Sequence, residues 1–158
     1  LHKIARKIKM HTYEWKKSSY IGLNLIDAEH SNLFASINKL VIAQHFDQKT
    51  ILSLADEVIA YAEFHFLSET NFMRILRYPR LEEHMKLHSE LSQELWKKRV
   101  LLSESTENLK NFIEFLVTWF VEHTQTVDRE FAAFVQKTNP LPNSPTAKLK
   151  EIILANNH

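Results

Sequence analysis

The chain has 158 residues, of which 44% are hydrophobic and 25% charged, and its formal net charge at pH 7 is +1. These values are typical of one globular domain that is long enough to bury a core, and the small charge argues against nucleic-acid binding. One glycine and four prolines are too few for the turns of a β-rich fold, so the composition favours long helices. The absence of cysteine excludes disulfides, thiolate metal ligands and a cysteine nucleophile.

The start of the chain is basic but lacks the apolar core of a signal peptide. No apolar run approaches the roughly 18 residues of a membrane span. We therefore expect a cytoplasmic protein without a membrane span. The first residue is Leu1 rather than Met, which suggests a piece of a larger protein, with a covalently attached signalling output domain as one possible partner.

Residues 1–22 are expected to form an N-terminal arm that packs through Trp15 and Tyr20. The first helix is predicted from about residue 24 or 27 to residue 44, with Asp27 as its N-cap or as an acid in its first turn. Apolar residues recur there with a helical period of 3.6 and form a stripe on one face. The stripe comprises Leu23, Ile26, His30, Leu33, Phe34, Ile37, Leu40 and Val41.

The second helix is predicted over about residues 47–77, capped by Asp47 and ended before Pro79, because the residue before a proline is disfavoured in helical geometry. Its stripe includes His65 and Glu69, which are four residues apart and therefore lie on one face. The third helix is predicted over about residues 80–102, with Pro79 in its first turn. It carries two histidines one turn apart on its inward face.

The fourth helix is predicted over about residues 107–137, and its stripe contains His123. Asp128 follows five residues later, which is about 140° around an ideal α-helix, so spacing alone does not pair the two side chains. Residues 138–158 are expected to form a proline-rich turn and a short C-terminal helix. The chain as a whole thus predicts an all-α fold, an antiparallel up-down-up-down four-helix bundle over residues 23–137.

Histidine is the unusual feature of this composition. Five of the nine histidines lie on inward stripes of predicted helices: His30, His65, His84, His88 and His123. A lone histidine on such a stripe is more often a core residue with a hydrogen-bond partner, but five on four converging helices, with Glu69, indicate metal ligation. Imidazole suits Zn, Cu, Fe and Ni, and structural zinc commonly uses cysteine. The donors exceed one tetrahedral site and suit two metals bridged by carboxylates.

The motifs on these helices resemble those of the hemerythrin family. The resemblance covers about residues 13–135 and rests on four segments and one further acid: Ile26–His30 (IDAEH), His65–Glu69 (HFLSE), His84–His88 (HMKLH), Trp119–His123 (WFVEH) and Asp128. Trp15 and the Tyr20-Ile21-Gly22 segment also resemble the loop that precedes the family's first helix.

This resemblance implies a non-haem diiron protein that binds dioxygen reversibly and is not an enzyme. Three histidines would hold one iron, two would hold the other with a position left open for dioxygen, and two carboxylates would bridge the irons with an oxo or hydroxo group. His84, His88 and His123 would hold the first iron, and His30 and His65 would hold the second. Glu69 and Asp128 would be the bridging carboxylates.

The resemblance also implies a dioxygen pocket, although core packing alone would account for its aromatic residues. The expected pocket residues are Phe34, Phe66, Trp119, Phe120 and Thr124. Phe120 and Thr124 stand where the family commonly has leucine and isoleucine, and a hydroxyl at residue 124 would admit or orient water.

Two uses of such a centre remain open, a free dioxygen carrier or store and the oxygen- or redox-sensing domain of a larger signalling protein. A diiron oxidase or ferritin-like enzyme is the alternative, but those bundles are typically rich in carboxylates with Glu-x-x-His pairs. A metal-free helical interaction module is the third class, and it would fold stably in the presence of chelators.

Overall fold

The computed structural model describes residues 12–155 and forms a helical bundle, with no strand among these residues. The helices are α1 (Asn24–Ile42), α2 (Gln48–Ile75), α3 (Leu81–Glu104), α4 (Leu109–His123), α5 (Arg129–Lys137) and α6 (Pro145–Leu154). A π-helical segment, Thr124–Asp128, joins α4 to α5, so that these two form the fourth long helix. Short 3-10 turns lie at Lys17–Ser19, Ala43–His45 and Thr106–Asn108.

The four long helices form a closed ring. Helix α1 packs against α2 and α4, and α3 packs against the same two helices. Successive helices are joined by connections of only a few residues, which forces neighbours to run antiparallel. The predicted all-α, up-down-up-down bundle is therefore confirmed.

The ends of α2 are fixed by local hydrogen bonds. The Asp47 carboxylate accepts from the backbone N–H of Thr50 at 2.9 Å, as predicted for an N-cap. At the other end Arg77 adopts a left-handed conformation (φ 55°), and the N–H of Tyr78 donates to the carbonyl of Met73 at 2.8 Å. This C-terminal motif delays the start of α3. The prediction that Pro79 occupies the first turn of α3 is therefore wrong, because that helix begins two residues later.

Asp27 ties the N-terminal arm to the bundle. It lies in the first turn of α1, and its two carboxylate oxygens accept from the backbone N–H groups of Ile21 at 2.8 Å and Gly22 at 2.9 Å. Gly22 has φ 84°, a left-handed conformation that glycine adopts without strain. Asp27 is thus the early-turn acid rather than the N-cap, and it satisfies two donors of the turn that leads into α1.

The arm continues across the bundle. Tyr13 and Asn38 exchange two hydrogen bonds of 2.8 Å between the arm backbone and the α1 side chain. Further along, Trp15 packs between Phe34 and Phe120, with ring centroids 5.2 Å apart in both cases. The described part of the predicted arm is therefore packed on the bundle through Trp15, whereas Tyr20, which was also expected to pack, is 43% exposed. Residues 1–11 lie outside the described residues.

Helix α6 packs against α1 rather than projecting from the bundle. Ile153 is fully buried, and the Asn24 side-chain amide donates to the carbonyl of Leu154 at 2.7 Å. The predicted short C-terminal helix is present, begins after the capping side chain of Ser144 and covers one end of the bundle. None of the helices in residues 12–155 is both long and apolar enough to cross a membrane.

Two apolar cores fill the bundle, one on each side of a layer of polar side chains. The first core includes Phe34, Phe66, Leu91 and Phe120, and the second includes Ile26, Met73, Phe131 and Ile153. Along each long helix the polar residues lie between a residue of one core and a residue of the other. The seven polar side chains that form this layer, called the polar layer below, are His30, His65, Glu69, His84, His88, His123 and Asp128.

We expect Asp27→Asn to lower the thermal unfolding midpoint. An amide oxygen replaces only one of the two acceptors, so one buried N–H loses its partner at a cost of about 1–3 kcal/mol. Differential scanning calorimetry measures the change. Asp47→Asn is the matched control, because asparagine caps a helix about as well as aspartate. Equal midpoints for Asp27→Asn and the wild type would contradict the role given to Asp27.

Candidate metal centre

Every long helix contributes to the polar layer. Helix α1 supplies His30, α2 supplies His65 and Glu69, α3 supplies His84 and His88, and the fourth long helix supplies His123 and Asp128. None of the seven residues is more than 6% exposed. The structure thus brings together all the side chains that the sequence singles out as candidate ligands.

Five of these side chains form the first group: Glu69, His84, His88, His123 and Asp128. The Nε2 atoms of His84 and His88 are 3.1 Å apart, and those of His88 and His123 are 3.0 Å apart. The Glu69 Oε2 atom lies 3.0 Å from Nε2 of His84. Asp128 Oδ1 lies 3.0 Å from Nε2 of His123. The donor atoms of three helices therefore converge on one small volume.

The second group consists of His30, His65 and Asp128. The Nε2 atoms of His30 and His65 are 3.2 Å apart, and Asp128 Oδ2 lies 3.3 Å from Nε2 of His30. Asp128 therefore faces both groups, with Oδ1 toward the first and Oδ2 toward the second. Glu69 directs Oε2 to the first group, and its Oε1 atom is buried with no hydrogen-bond partner among residues 12–155.

These contacts do not make a satisfied hydrogen-bond network. A neutral imidazole has one N–H, and the buried Nδ1 atoms of His30, His84 and His88 have no partner within the described part of the chain. A cation accounts for the geometry better. Two nitrogen ligands at right angles, each about 2.1 Å from one ion, lie about 3.0 Å apart. The spacing of the Nε2 atoms is therefore that of neighbouring ligands on a metal.

Burial sets the charge of the layer. Desolvation, followed by the neighbouring Asp128 carboxylate, raises the pKa of Glu69 to about 8. Burial lowers the pKa of His84 and of His88, because desolvation disfavours the charged form of histidine as it does that of a carboxyl group. Both imidazoles are therefore held neutral, which is the metal-binding form. Desolvation opposes ionisation of Asp128, but its contacts with His123 and His30 outweigh it and hold the Asp128 pKa well below the usual range. Cations would neutralise both carboxylates.

The π-helical segment explains why Asp128 reaches the layer. On an ideal α-helix a residue five positions after His123 points elsewhere, but hydrogen bonds in a π-helix join residues five apart, so residue 128 returns over residue 123. The Thr126 hydroxyl donates to the carbonyl of Glu122 at 2.7 Å and so satisfies one backbone group at the widened turn. The ideal α-helical spacing assumed from the sequence does not hold in this segment for this reason.

Glu29 is a residue that the sequence reasoning did not assign to the site. Its Oε2 atom accepts a hydrogen bond of 2.8 Å from Nδ1 of His65, and its Oε1 atom accepts one of 2.7 Å from the Ser68 hydroxyl. The contact fixes the His65 tautomer and turns Nε2 toward the layer. Glu29 directly precedes His30 within the IDAEH segment, and the sequence signals were this adjacency to a candidate ligand and its place in the motif.

Aromatic rings enclose the layer. Phe66 stacks on the His88 ring with centroids 4.1 Å apart, and Trp119 stacks on His123 at 4.7 Å. Phe120 meets the His30 ring edge-on at 5.3 Å, and Phe34 lies one layer further out, against Phe120 at 6.2 Å.

Trp15 was assigned by the sequence only to the loop before the first helix, yet it belongs to this aromatic shell. Its ring lies 6.0 Å from that of His30, edge to face, and it stacks on Phe120. The sequence gives no means of predicting this contact, because the arm reaches the site only through the tertiary fold.

Residues 21–135 match a family model described as the hemerythrin HHE cation binding domain. The bacteriohemerythrin of Clostridium acetobutylicum is 29% identical over an alignment of 126 residues that covers 75% of this chain and 98% of that protein. The myohemerythrin of Theromyzon tessulatum is 28% identical over 119 residues, 75% of this chain and 90% of that protein. The hemerythrin of Phascolopsis gouldii is 27% identical over 119 residues, 75% of this chain and 90% of that protein. The chain belongs to the hemerythrin family.

Proposed function

We propose that this chain is a non-haem diiron protein that binds dioxygen reversibly, as a carrier or store or as the sensing domain of a larger signalling protein. The family and the cluster of histidines and carboxylates fit a diiron oxygen-binding protein. The single observation that carries the proposal is the division of the Asp128 carboxylate between two groups of imidazoles. A carboxylate shared in this way can bridge two neighbouring cations.

The proposed ligands follow the two groups. His84, His88 and His123 would hold one iron, and His30 and His65 the other. Glu69 and Asp128 would bridge the pair, together with an oxo or hydroxo group. The donor set of imidazoles and carboxylates without sulfur suits iron. The smaller number of imidazoles in the second group supports an open position on that iron for dioxygen.

The protein's own residues prepare this centre. Burial holds His84 and His88 in the neutral form, Glu29 orients the His65 ring, and the stacked rings of Phe66 and Trp119 exclude water. The irons, when bound, supply the electrons and the coordination position that reversible dioxygen binding requires. We assign the pocket for dioxygen to Phe34, Phe66, Trp119, Phe120 and Thr124, and we add Trp15.

The chemistry of the donors supports a carrier or sensor over the alternative, a diiron oxidase or ferritin-like enzyme. Ferritin-like centres use a glutamate from each of two helices and Glu-x-x-His pairs from the other two. Here five histidines face two carboxylates. A cytoplasmic location is also part of the proposal, and an attached signalling output domain belongs to its sensing alternative. Microscopy of the full-length gene product with a fluorescent tag tests the location, and the length of that gene product tests the attached domain.

The purified protein, loaded with ferrous iron without air, is expected to contain two irons per chain. Exposure to dioxygen should produce a visible charge-transfer band that disappears when dioxygen is removed. Elemental analysis and absorption spectroscopy measure both. His45→Ala, which alters a histidine in the connection between α1 and α2, is the matched control and should behave as the wild type. A metal-free protein of unchanged thermal stability would contradict the proposal.

Glu69→Ala should disturb both irons, whereas His65→Ala should chiefly weaken one. The bridging carboxylate serves both ions, while a terminal imidazole serves one. Iron content after dialysis against a mild chelator distinguishes the two variants. The bridging role of Glu69 is wrong if Glu69→Ala retains two irons per chain.

Glu29→Gln should weaken the iron at His30 and His65 by about 10- to 100-fold, because residues that orient a ligand contribute that much to metal affinity. Competition with a chelator of known affinity measures the loss. Glu57→Gln is the control, because it makes the same substitution at a glutamate that pairs with Lys39 at the surface. If both variants bind iron as the wild type does, Glu29 does not position His65.

A further inference from the structure

Thr124 carries a hydroxyl that the fold leaves without a partner. The residue is 0% exposed, and its Oγ1 atom forms no hydrogen bond with any residue of the described chain. Buried hydroxyls are nearly always hydrogen-bonded, because an unpaired polar group in the interior is unfavourable. The position therefore needs an explanation that packing does not supply.

The helix itself does not use this hydroxyl. A threonine in a helix commonly donates to a carbonyl one turn back. Thr126 does so, with its hydroxyl 2.7 Å from the carbonyl oxygen of Glu122. Thr124 is two residues away in the same π-helical segment, and its hydroxyl makes no such bond. The two threonines thus provide an internal comparison between a structural hydroxyl and an unused one.

The neighbours of Thr124 along the helix show which group it faces. Phe120, four residues before it, contacts the His30 ring at 5.3 Å. Asp128, four residues after it, approaches Nε2 of His30 at 3.3 Å. The backbone N–H of Thr124 donates to the carbonyl of Phe120, so Thr124 lies one α-helical turn after Phe120 and on the same side of the helix. Its side chain is therefore on the side of the His30–His65 group.

The surroundings of this group hold one other buried neutral donor without a hydrogen-bond partner among the described residues, the indole N–H of Trp15. On the same side lie the rings of Trp15 and Phe120 and the carboxylate of Asp128. A ligand atom that bears negative charge would find there aromatic rings, an anion and two buried donors, the Trp15 indole N–H and the Thr124 hydroxyl. The threonine hydroxyl is a donor that rotates to suit its acceptor.

We propose that the Thr124 hydroxyl donates a hydrogen bond to the small ligand that binds beside His30 and His65, and so selects ligands whose outer atom is negative. This inference rests on the proposed diiron function. It makes residue 124 a determinant of ligand specificity, where the sequence alone indicated only a hydroxyl near the pocket. Anions such as azide have the required acceptor, and dioxygen would have it if bound irons supplied it with electron density.

The test compares Thr124→Val and Thr124→Ser in the iron-loaded protein. Valine keeps the shape and removes the donor, and serine keeps the donor. Titration of the oxidised protein with azide should give an affinity about 3- to 10-fold weaker for Thr124→Val, the size of one hydrogen bond. Thr124→Ser should stay within about twofold of the wild type. Thr138→Val, which removes a hydroxyl that likewise donates to a carbonyl one turn back but lies outside the site, should leave azide affinity unchanged.

A second readout separates ligand binding from folding. Thr124→Val should unfold at the same midpoint as the wild type or a few degrees higher, because it removes an unpaired buried hydroxyl. A lower midpoint with unchanged azide affinity would show a structural hydroxyl and overturn the inference. Normal iron content with equal azide affinity for all variants would overturn it and leave the diiron proposal standing. Failure of the wild type to bind iron would overturn both.

Discussion

The polar layer is the constraint on which this structure depends. Seven ionisable side chains lie between two apolar cores, and none is more than 6% exposed. Burying so many polar groups is strongly unfavourable unless each has a partner. Their nitrogens and oxygens lie 3.0–3.5 Å apart and leave several buried atoms unpaired. The bundle is therefore arranged around a cluster of side chains that could hold cations, and iron is the cation that the proposal assigns to it.

Several local features serve this layer. The π-helical segment Thr124–Asp128 turns the Asp128 carboxylate toward two groups of histidines. Glu29 orients the ring of His65 from the neighbouring helix. Asp27 holds the turn that directs the N-terminal arm over the bundle, and the arm places Trp15 against His30. Each feature departs from regular helix packing, and each acts on a side chain of the layer or on its enclosure.

The same layer relates fold to function. Its histidines are terminal ligands in the proposal and its carboxylates are shared, while the stacked aromatic rings limit access by water. The π-helical segment carries both a proposed bridge, Asp128, and the unpaired hydroxyl of Thr124. One irregularity of the fourth helix would thus set the distance between the metals and the chemistry of the ligand pocket. Such irregular turns are frequent at functional sites.

The sequence by itself determined the helices, the Asp47 cap and the inward position of the histidines, because these depend on local periodicity and hydrogen bonds between near neighbours. Resemblance of motifs, rather than spacing, brought Asp128 into the candidate ligand set. Only the tertiary structure decided how Asp128 reaches the layer, since a π-helical turn leaves no reliable periodic signal. It also decided that Glu29 of α1 contacts His65 of α2 and that Trp15 of the arm contacts His30 of α1. Those contacts join residues distant in the chain, and packing of the whole bundle creates them.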